Sequence, residues 1–416
     1  MIMKGDFKYY VGFLFVLACV NVPVVSSFAQ IHIEGLNYLD HRPVSVKFEN
    51  GTITEVKYLD KLSDKKHAYY LAPGLFDNQV NGYAGVSFTF GGGDLSKNDV
   101  EIATRGLWQK GITSYLPTLT SNSQETLLKN IRILAEAMND QKLLGSIPGF
   151  HLEGPYISPV DGFRGAHPKQ HIRNPDWAEF NVLYEASGKN ILTVTMAPEL
   201  PGAMEFMRKC SELGIVVSLG HHNGSKADVD RAVMNGARTC THLGNGCANT
   251  INRHQNPLWP QLANDQLNIS IICDGFHLRD EEIKTFYRVK GVEKTIITSD
   301  ITGFAGLKPG KYINEDGETI ELLESGLLRY PAQNVLYGSA TPINRGVVHI
   351  MDVTGCTLGE AIQMASANSA RLYNLADRGE LKPGMRADLI LFEVGKRELE
   401  IKKTFVKGKL VYEFKE

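Results

Sequence analysis

Short apolar runs, each followed by a longer stretch with helical spacing of apolar residues, recur from about residue 74 to residue 300. The runs cover residues 74–80, 112–117, 146–152, 191–197, 214–220, 238–242, 269–274 and 294–300. Near-continuous apolar runs of this length are the mark of parallel strands buried on both faces. Eight such units over roughly 300 residues predict a (β/α)8 barrel, because an open doubly wound sheet usually has fewer strands. Residues 31–71 instead show short alternating runs broken by Asn50-Gly51, a hairpin signal, and β patterning returns from Gly379 through Val411. The predicted class is therefore α/β: a TIM-type barrel over residues 73–376, with a small β-sandwich assembled from residues 30–72 and 377–416. Residues 306–337 break the alternation, read as a hairpin with Glu315-Asp316-Gly317 as its turn, and are expected to cover whatever site follows Asp300. No internal repeat or low-complexity segment is present.

Composition changes this picture only at the amino terminus. With 43% hydrophobic and 22% charged residues the chain is of ordinary globular make-up, and a net charge of -2 without a basic stripe argues against a nucleic-acid partner. Residues 1–29 carry Lys4 and Lys8 ahead of an apolar stretch from Tyr9 to Val25, then Ser27-Phe28-Ala29, the pattern of a secretory signal. Val16-Leu17-Ala18-Cys19 also resembles a lipoprotein processing box. The expectation is export to the periplasm, with Cys19 as a lipid anchor point in the second reading. The other five cysteines lack CxxC spacing, so no disulfide framework is expected.

The candidate chemistry lies at strand ends. Glu153, His221, His242 and Asp300 close four different apolar runs, the positions where active-site groups converge in a parallel barrel. One carboxylate and two neutral imidazoles, with an open coordination position, suit a hydrolytic zinc-type ion. Taken singly, Glu153 also reads as a loop carboxylate, each histidine as a satisfied core residue and Asp300 as a helix cap. Asp300 would be the group that moves the proton. His222, adjacent to His221, should face away from it. The first run ends in Gln79-Val80-Asn81 where a two-metal barrel of this kind would have His-x-His, and amides bind transition metals poorly, so a single ion is expected.

Ten motifs occur in order: Ala72-Pro-Gly-Leu-Phe-Asp, Gln79-x-Asn81-Gly82, Thr113-Ser-Tyr-Leu-Pro-Thr-Leu, His151-Leu-Glu-Gly-Pro-Tyr, Gly165-Ala-His-Pro, Met196-Ala-Pro-Glu, Gly220-His221, Thr241-His242-Leu-Gly-Asn245, Asp274-Gly-Phe-His277 and Ser299-Asp300. Together they resemble the N-acetylglucosamine-6-phosphate deacetylases of the amidohydrolase superfamily, over nearly all of residues 31–416. The resemblance implies one divalent ion per subunit, zinc or iron, on Glu153, His221 and His242. It makes Asp300 the acid/base that activates water and protonates the departing amine. It further implies that His167 contacts the sugar, that His277 helps bind substrate, and that Asn245 and the Gly246 backbone hold the phosphate side. Arg253 would reach the phosphate of a neighbouring subunit, which implies a homodimer. Two features depart from the family. The Arg253 segment, Asn252-Arg-His-Gln-Asn-Pro-Leu-Trp-Pro, is longer than the usual Arg-Glu-Pro-Gly. The export signal, in turn, points to unphosphorylated N-acetylated sugars or another N-acyl compound as alternative substrates.

Overall fold

All eight apolar runs form parallel strands in the computed structural model, which describes residues 31–64, 68–89, 95–314, 317–332 and 335–415. The signal-like segment and Cys19 lie outside the described residues. The barrel strands are β1 (Leu75–Val80), β2 (Ile112–Thr120), β3 (Phe150–Glu153), β4 (Ile191–Met196), β5 (Val216–Leu219), β6 (Ala237–Cys240), β7 (Asn268–Ile272) and β8 (Thr295–Thr298), hydrogen-bonded in sequence order. Helices follow them at Lys97–Trp108, Gln124–Met138, Trp177–Ala186, Ala203–Glu212, Lys226–Met234, Leu258–Ala263, Asp280–Lys294 and Ile343–Thr354. Every residue of β1 and β2 is buried, as strands covered by side chains within and helices without must be.

The seam between β8 and β1 closes the barrel. There the Asp300 N–H donates to the Gln79 carbonyl at 3.1 Å, and the Asn81 N–H donates to the Ile301 carbonyl at 2.7 Å. The result is the (β/α)8 barrel. One strand starts later than its apolar run: β3 begins at Phe150 rather than residue 146. Pro148 has no N–H to give to a ladder, although the Ser146 carbonyl still accepts from Tyr115 N at 2.9 Å.

Both chain ends build one seven-stranded sheet, in the order Lys409–Glu413, Leu399–Val406, Leu389–Val394, Tyr70–Pro73, Ile31–Asn37, Pro43–Glu49, Thr52–Tyr58. It folds over its own apolar face, so that Phe48 and Phe405, from strands far apart in that order, meet at 5.7 Å between ring centroids. Val44, Val46, Leu71, Leu389 and Leu391 fill the space between. Asn50-Gly51 makes the expected two-residue hairpin, both residues at positive φ (52° and 80°).

The segment after Asp300 is a four-stranded antiparallel sheet, Gly310–Ile313, Thr319–Leu322, Leu328–Tyr330 and Val335–Leu336, rather than a single hairpin. Ile320, Leu322, Leu328 and Tyr337 give it a small core of its own. The turn residues Glu315 and Asp316 lie outside the described residues. The chain returns from this sheet at Ser339, whose N–H donates to the Asp300 carbonyl at 3.0 Å. Among the described residues no helix is long and apolar enough to cross a membrane, and all five cysteines there are free.

Candidate active site

Three strand ends bend in the same way at the mouth of the barrel. His221, His242 and Asp300 each lie two residues beyond the last residue of their strand, and each has a left-handed backbone, at φ 50°, 29° and 54°. Such a conformation costs a non-glycine residue about 1–3 kcal/mol and persists where packing enforces it, commonly at active sites. Glu153 is the final residue of β3.

These bends bring three donor atoms together. His242 Nε2 is 2.9 Å from Glu153 Oε1, His221 Nε2 is 3.3 Å from the same oxygen, and the two Nε2 atoms are 3.1 Å apart. All three side chains are buried. Donors at about 2.0–2.1 Å from a tetrahedral ion stand roughly 3.3 Å from one another, so the triangle is of the size one such ion requires. The donor chemistry fits as well. The Phe163 carbonyl, 2.9 Å from His221 Nδ1, can only accept, so the proton is on Nδ1 and the lone pair of Nε2 faces the triangle. Two glycines clasp that ring: a Cβ on Gly246 would come 2.7 Å from His221 Nδ1, and one on Gly165 would come 2.8 Å from its Cε1.

The electrostatics are those of a concentrated charge. Burial alone would push the Glu153 carboxyl up, but the adjoining His221 and His242 side chains outweigh it and hold the group well below the usual carboxylate range. Burial would likewise lower His242, yet the adjacent Glu153 carboxylate raises it. Asp300 shows the opposite balance: burial, then the nearby Glu153 charge, pushes its carboxyl up to about 6.

Gln79 and Asn81 both turn inward to Asp300. Gln79 Nε2 donates to Oδ1 at 2.9 Å and Asn81 Nδ2 donates to the same oxygen at 2.7 Å. His167 belongs to the cluster too, its ring 4.5 Å from that of His221. Its Nδ1 lies 2.9 Å from Ser121 Oγ and accepts from the Ser121 N–H at 3.4 Å, which puts the ring proton on Nε2. Burial, followed by the neighbouring His221, lowers His167 to about 3, so the ring is neutral in ordinary conditions. His277 donates from Nδ1 to Asp274 at 2.7 Å, and the other Asp274 oxygen accepts from the backbone N–H groups of Phe276 and His277.

The remaining sequence-derived candidates separate. Gly246 packs on His221, and the side-chain nitrogen of Asn245 is buried without a hydrogen-bond partner. His222 is buried but outside the donor triangle, accepting from the Gly224 N–H at 3.1 Å. Arg253, expected to act at a neighbouring subunit, lies exposed in the loop after β6, and its guanidinium makes no hydrogen bond or ion pair among the described residues. Its carbonyl accepts from the Trp259 indole at 2.8 Å. Ser121, Phe163 and Asp274 touch these residues, and the sequence assigned no role to any of them. The three-residue spacing from Asp274 to His277 is the one local signal among them, whereas the Phe163 contact is made by a carbonyl that any residue supplies.

Comparison with known proteins agrees with this geometry. Residues 70–411 match the model of the amidohydrolase family. The chain is 32% identical over 359 residues to N-acetylglucosamine-6-phosphate deacetylase of Bos taurus, covering 83% of this chain and 84% of that one. It is also 32% identical over 354 residues to the human protein of the same name, with 82% and 83% covered. The solved structure of N-acetylglucosamine-6-phosphate deacetylase from Thermotoga maritima superposes with a TM-score of 0.81 at 27% identity, over 92% of this chain and 100% of that one. The chain belongs to the amidohydrolase family, among the N-acetylglucosamine-6-phosphate deacetylases, and is a hydrolase of a linear amide bond.

Proposed function

We propose that this chain removes the acetyl group from N-acetylglucosamine-6-phosphate, giving acetate and glucosamine-6-phosphate, with one divalent ion, zinc or iron, held by Glu153, His221 and His242. The observation that carries the reading is the triangle of three buried donor atoms, 2.9–3.3 Å apart, beside a carboxylate with one oxygen clear of protein donors. An ion in that triangle would polarise the acetamide carbonyl and make a water molecule acidic enough to attack it.

The chain's own residues supply the remaining steps. Asp300 takes a proton from the attacking water and delivers it to the nitrogen, which leaves as an amine. The Nε2 proton of neutral His167 is placed to donate toward the carbonyl oxygen as negative charge develops there. His277, its proton fixed on Nδ1 by Asp274, offers the Nε2 lone pair to a sugar hydroxyl. Asn245 has a buried amide nitrogen without a partner, a donor for the phosphate side. Arg253, exposed and without an ion pair among the described residues, would serve the same phosphate from a second copy of the chain.

Acetate release from N-acetylglucosamine-6-phosphate, measured beside release from unphosphorylated N-acetylglucosamine, tests the substrate. The reading predicts a kcat/KM higher by at least about tenfold for the phosphorylated sugar, equal to about 1.4 kcal/mol of transition-state binding. Equal values, or preference for the unphosphorylated sugar, would remove the phosphate from the account and favour a substrate met outside the cytoplasm.

The pH dependence follows from Asp300. Only its ionised form accepts a proton, so kcat/KM should fall as pH falls through the carboxyl's pKa, about 6 from burial and the Glu153 charge. A cation on the triangle favours the ionised form and moves this acid limb lower. A profile measured from about pH 4 to about pH 8 should place the limb at or below about 6; a limb above neutrality would count against Asp300 as the base.

A further inference from the structure

The family pattern at the end of β1 leaves Gln79 and Asn81 as amides where metal-binding imidazoles would otherwise stand, and their geometry gives them other work. We propose that Gln79 and Asn81 are positioning residues for Asp300: two amide donors lock one carboxylate oxygen so that the other alone faces the reaction. This inference rests on the reading of Asp300 as the proton-transfer group.

Gln79, on β1, and Asn81, the residue just beyond its end, are buried and two residues apart, and both side chains reach Asp300 inside the barrel mouth. Their donors, at 2.9 and 2.7 Å, meet on the single atom Oδ1. No hydrogen bond to Oδ2 is made among the described residues. A carboxylate held at one oxygen by two donors cannot rotate about its Cβ–Cγ bond without breaking both.

The backbone beneath is fixed by the same stretch of chain. Asp77, two residues before Gln79 and fully buried, accepts from Ser299 N at 3.1 Å, from Ser299 Oγ, and from Gln79 N at 3.3 Å. With the Asp300–Gln79 and Asn81–Ile301 backbone bonds, this sets the register of the β8–β1 seam on both sides of Asp300. Asp77 thus fixes the backbone and the two amides fix the side chain. Neutral donors also do what imidazole ligands of a second ion would not: they support the charged carboxylate without adding a cation. The ionisable groups that act on Asp300 are Glu153, His242 and His277, and Asn81 donates to it from just beyond the end of β1.

The test uses Gln79→Met and Asn81→Leu, near-isosteric replacements that remove one donor each, in the metal-loaded full chain. Each should lower kcat roughly 10- to 100-fold with KM and metal content unchanged, the scale expected for a misplaced catalytic group. Each should also move the acid limb of kcat/KM upward, because the ionised carboxylate loses a donor. Val80→Ala, on the same strand but facing outward, is the stability control: it should lower the melting temperature and leave the limb in place. If an apolar variant does not fold, the isosteric Asn81→Asp carries the test, since it replaces a donor by a second negative charge and should raise the limb further. A limb that stays put, or a kcat loss that follows melting temperature or metal content, would overturn the proposal. Asp300→Asn separates the two readings: if it stays active, the base assignment itself is wrong, whereas an inactive Asp300→Asn beside fully active amide variants defeats this inference alone.

Discussion

Asp300→Asn should reduce kcat for acetate release by roughly 10²–10⁴-fold, the range that positioned acid–base groups contribute. Asparagine keeps the shape, and its carbonyl oxygen can still accept from Gln79 and Asn81, so neither the β8–β1 seam nor the barrel mouth needs to rearrange. It cannot take up a proton at the pH of the reaction. The three donor atoms of the triangle come from β3 and from the ends of β5 and β6, so bound metal should remain at the wild-type level. KM should change little, because the lost interaction is one made during proton transfer. Steady-state kinetics with metal analysis on the same sample checks both halves. Turnover close to wild type would remove Asp300 from the mechanism.

His242→Ala should be at least as damaging, for a different reason. It deletes the donor that lies 2.9 Å from Glu153 and 3.1 Å from His221, leaving a buried carboxylate with His221 alone beside it in the triangle. An ion acting on a carbonyl is worth several kcal/mol of transition-state stabilisation, so its loss corresponds to about 10³-fold or more in rate. The variant should also contain far less metal. Thermal unfolding gives a readout independent of activity: added zinc should raise the melting temperature of the wild type, because a ligand that binds only the folded state stabilises it, and should leave the variant nearly unmoved. An identical zinc response in both proteins would show that the ion sits elsewhere.

Much of this architecture is legible before any coordinates, for a physical reason. A strand buried on both faces must be apolar almost throughout, so β1 to β8 announce themselves as runs, and the residues that interrupt the pattern at their ends, Glu153, His221, His242 and Asp300, are those the structure gathers at the mouth. The family motifs then add His167 and His277, and both take defined places beside Ser121 and Asp274.

What remains hidden depends on partners remote in sequence. Gln79 and Asn81 read as poor metal ligands, a statement about what they do not bind. That they donate to Asp300 follows only once the seam is closed across 221 and 219 positions of chain. Asp77 closes the Ala72-Pro-Gly-Leu-Phe-Asp motif, yet its role depends on Ser299 across the same seam. The proton position on His221 is set by the Phe163 carbonyl, a backbone group that leaves no trace in residue type.

In the proposed function, one ion on Glu153, His221 and His242 is needed to hydrolyse the acetamide of an N-acetyl amino-sugar phosphate. Titrating zinc into chelated protein while following acetate release from N-acetylglucosamine-6-phosphate tests it most directly. Almost no release is expected at the start, then a rise in proportion to added metal that levels off at about one ion per chain, as a single closed triangle of donors requires. Full activity in the chelated protein, or no acetate at any metal ratio, would contradict it.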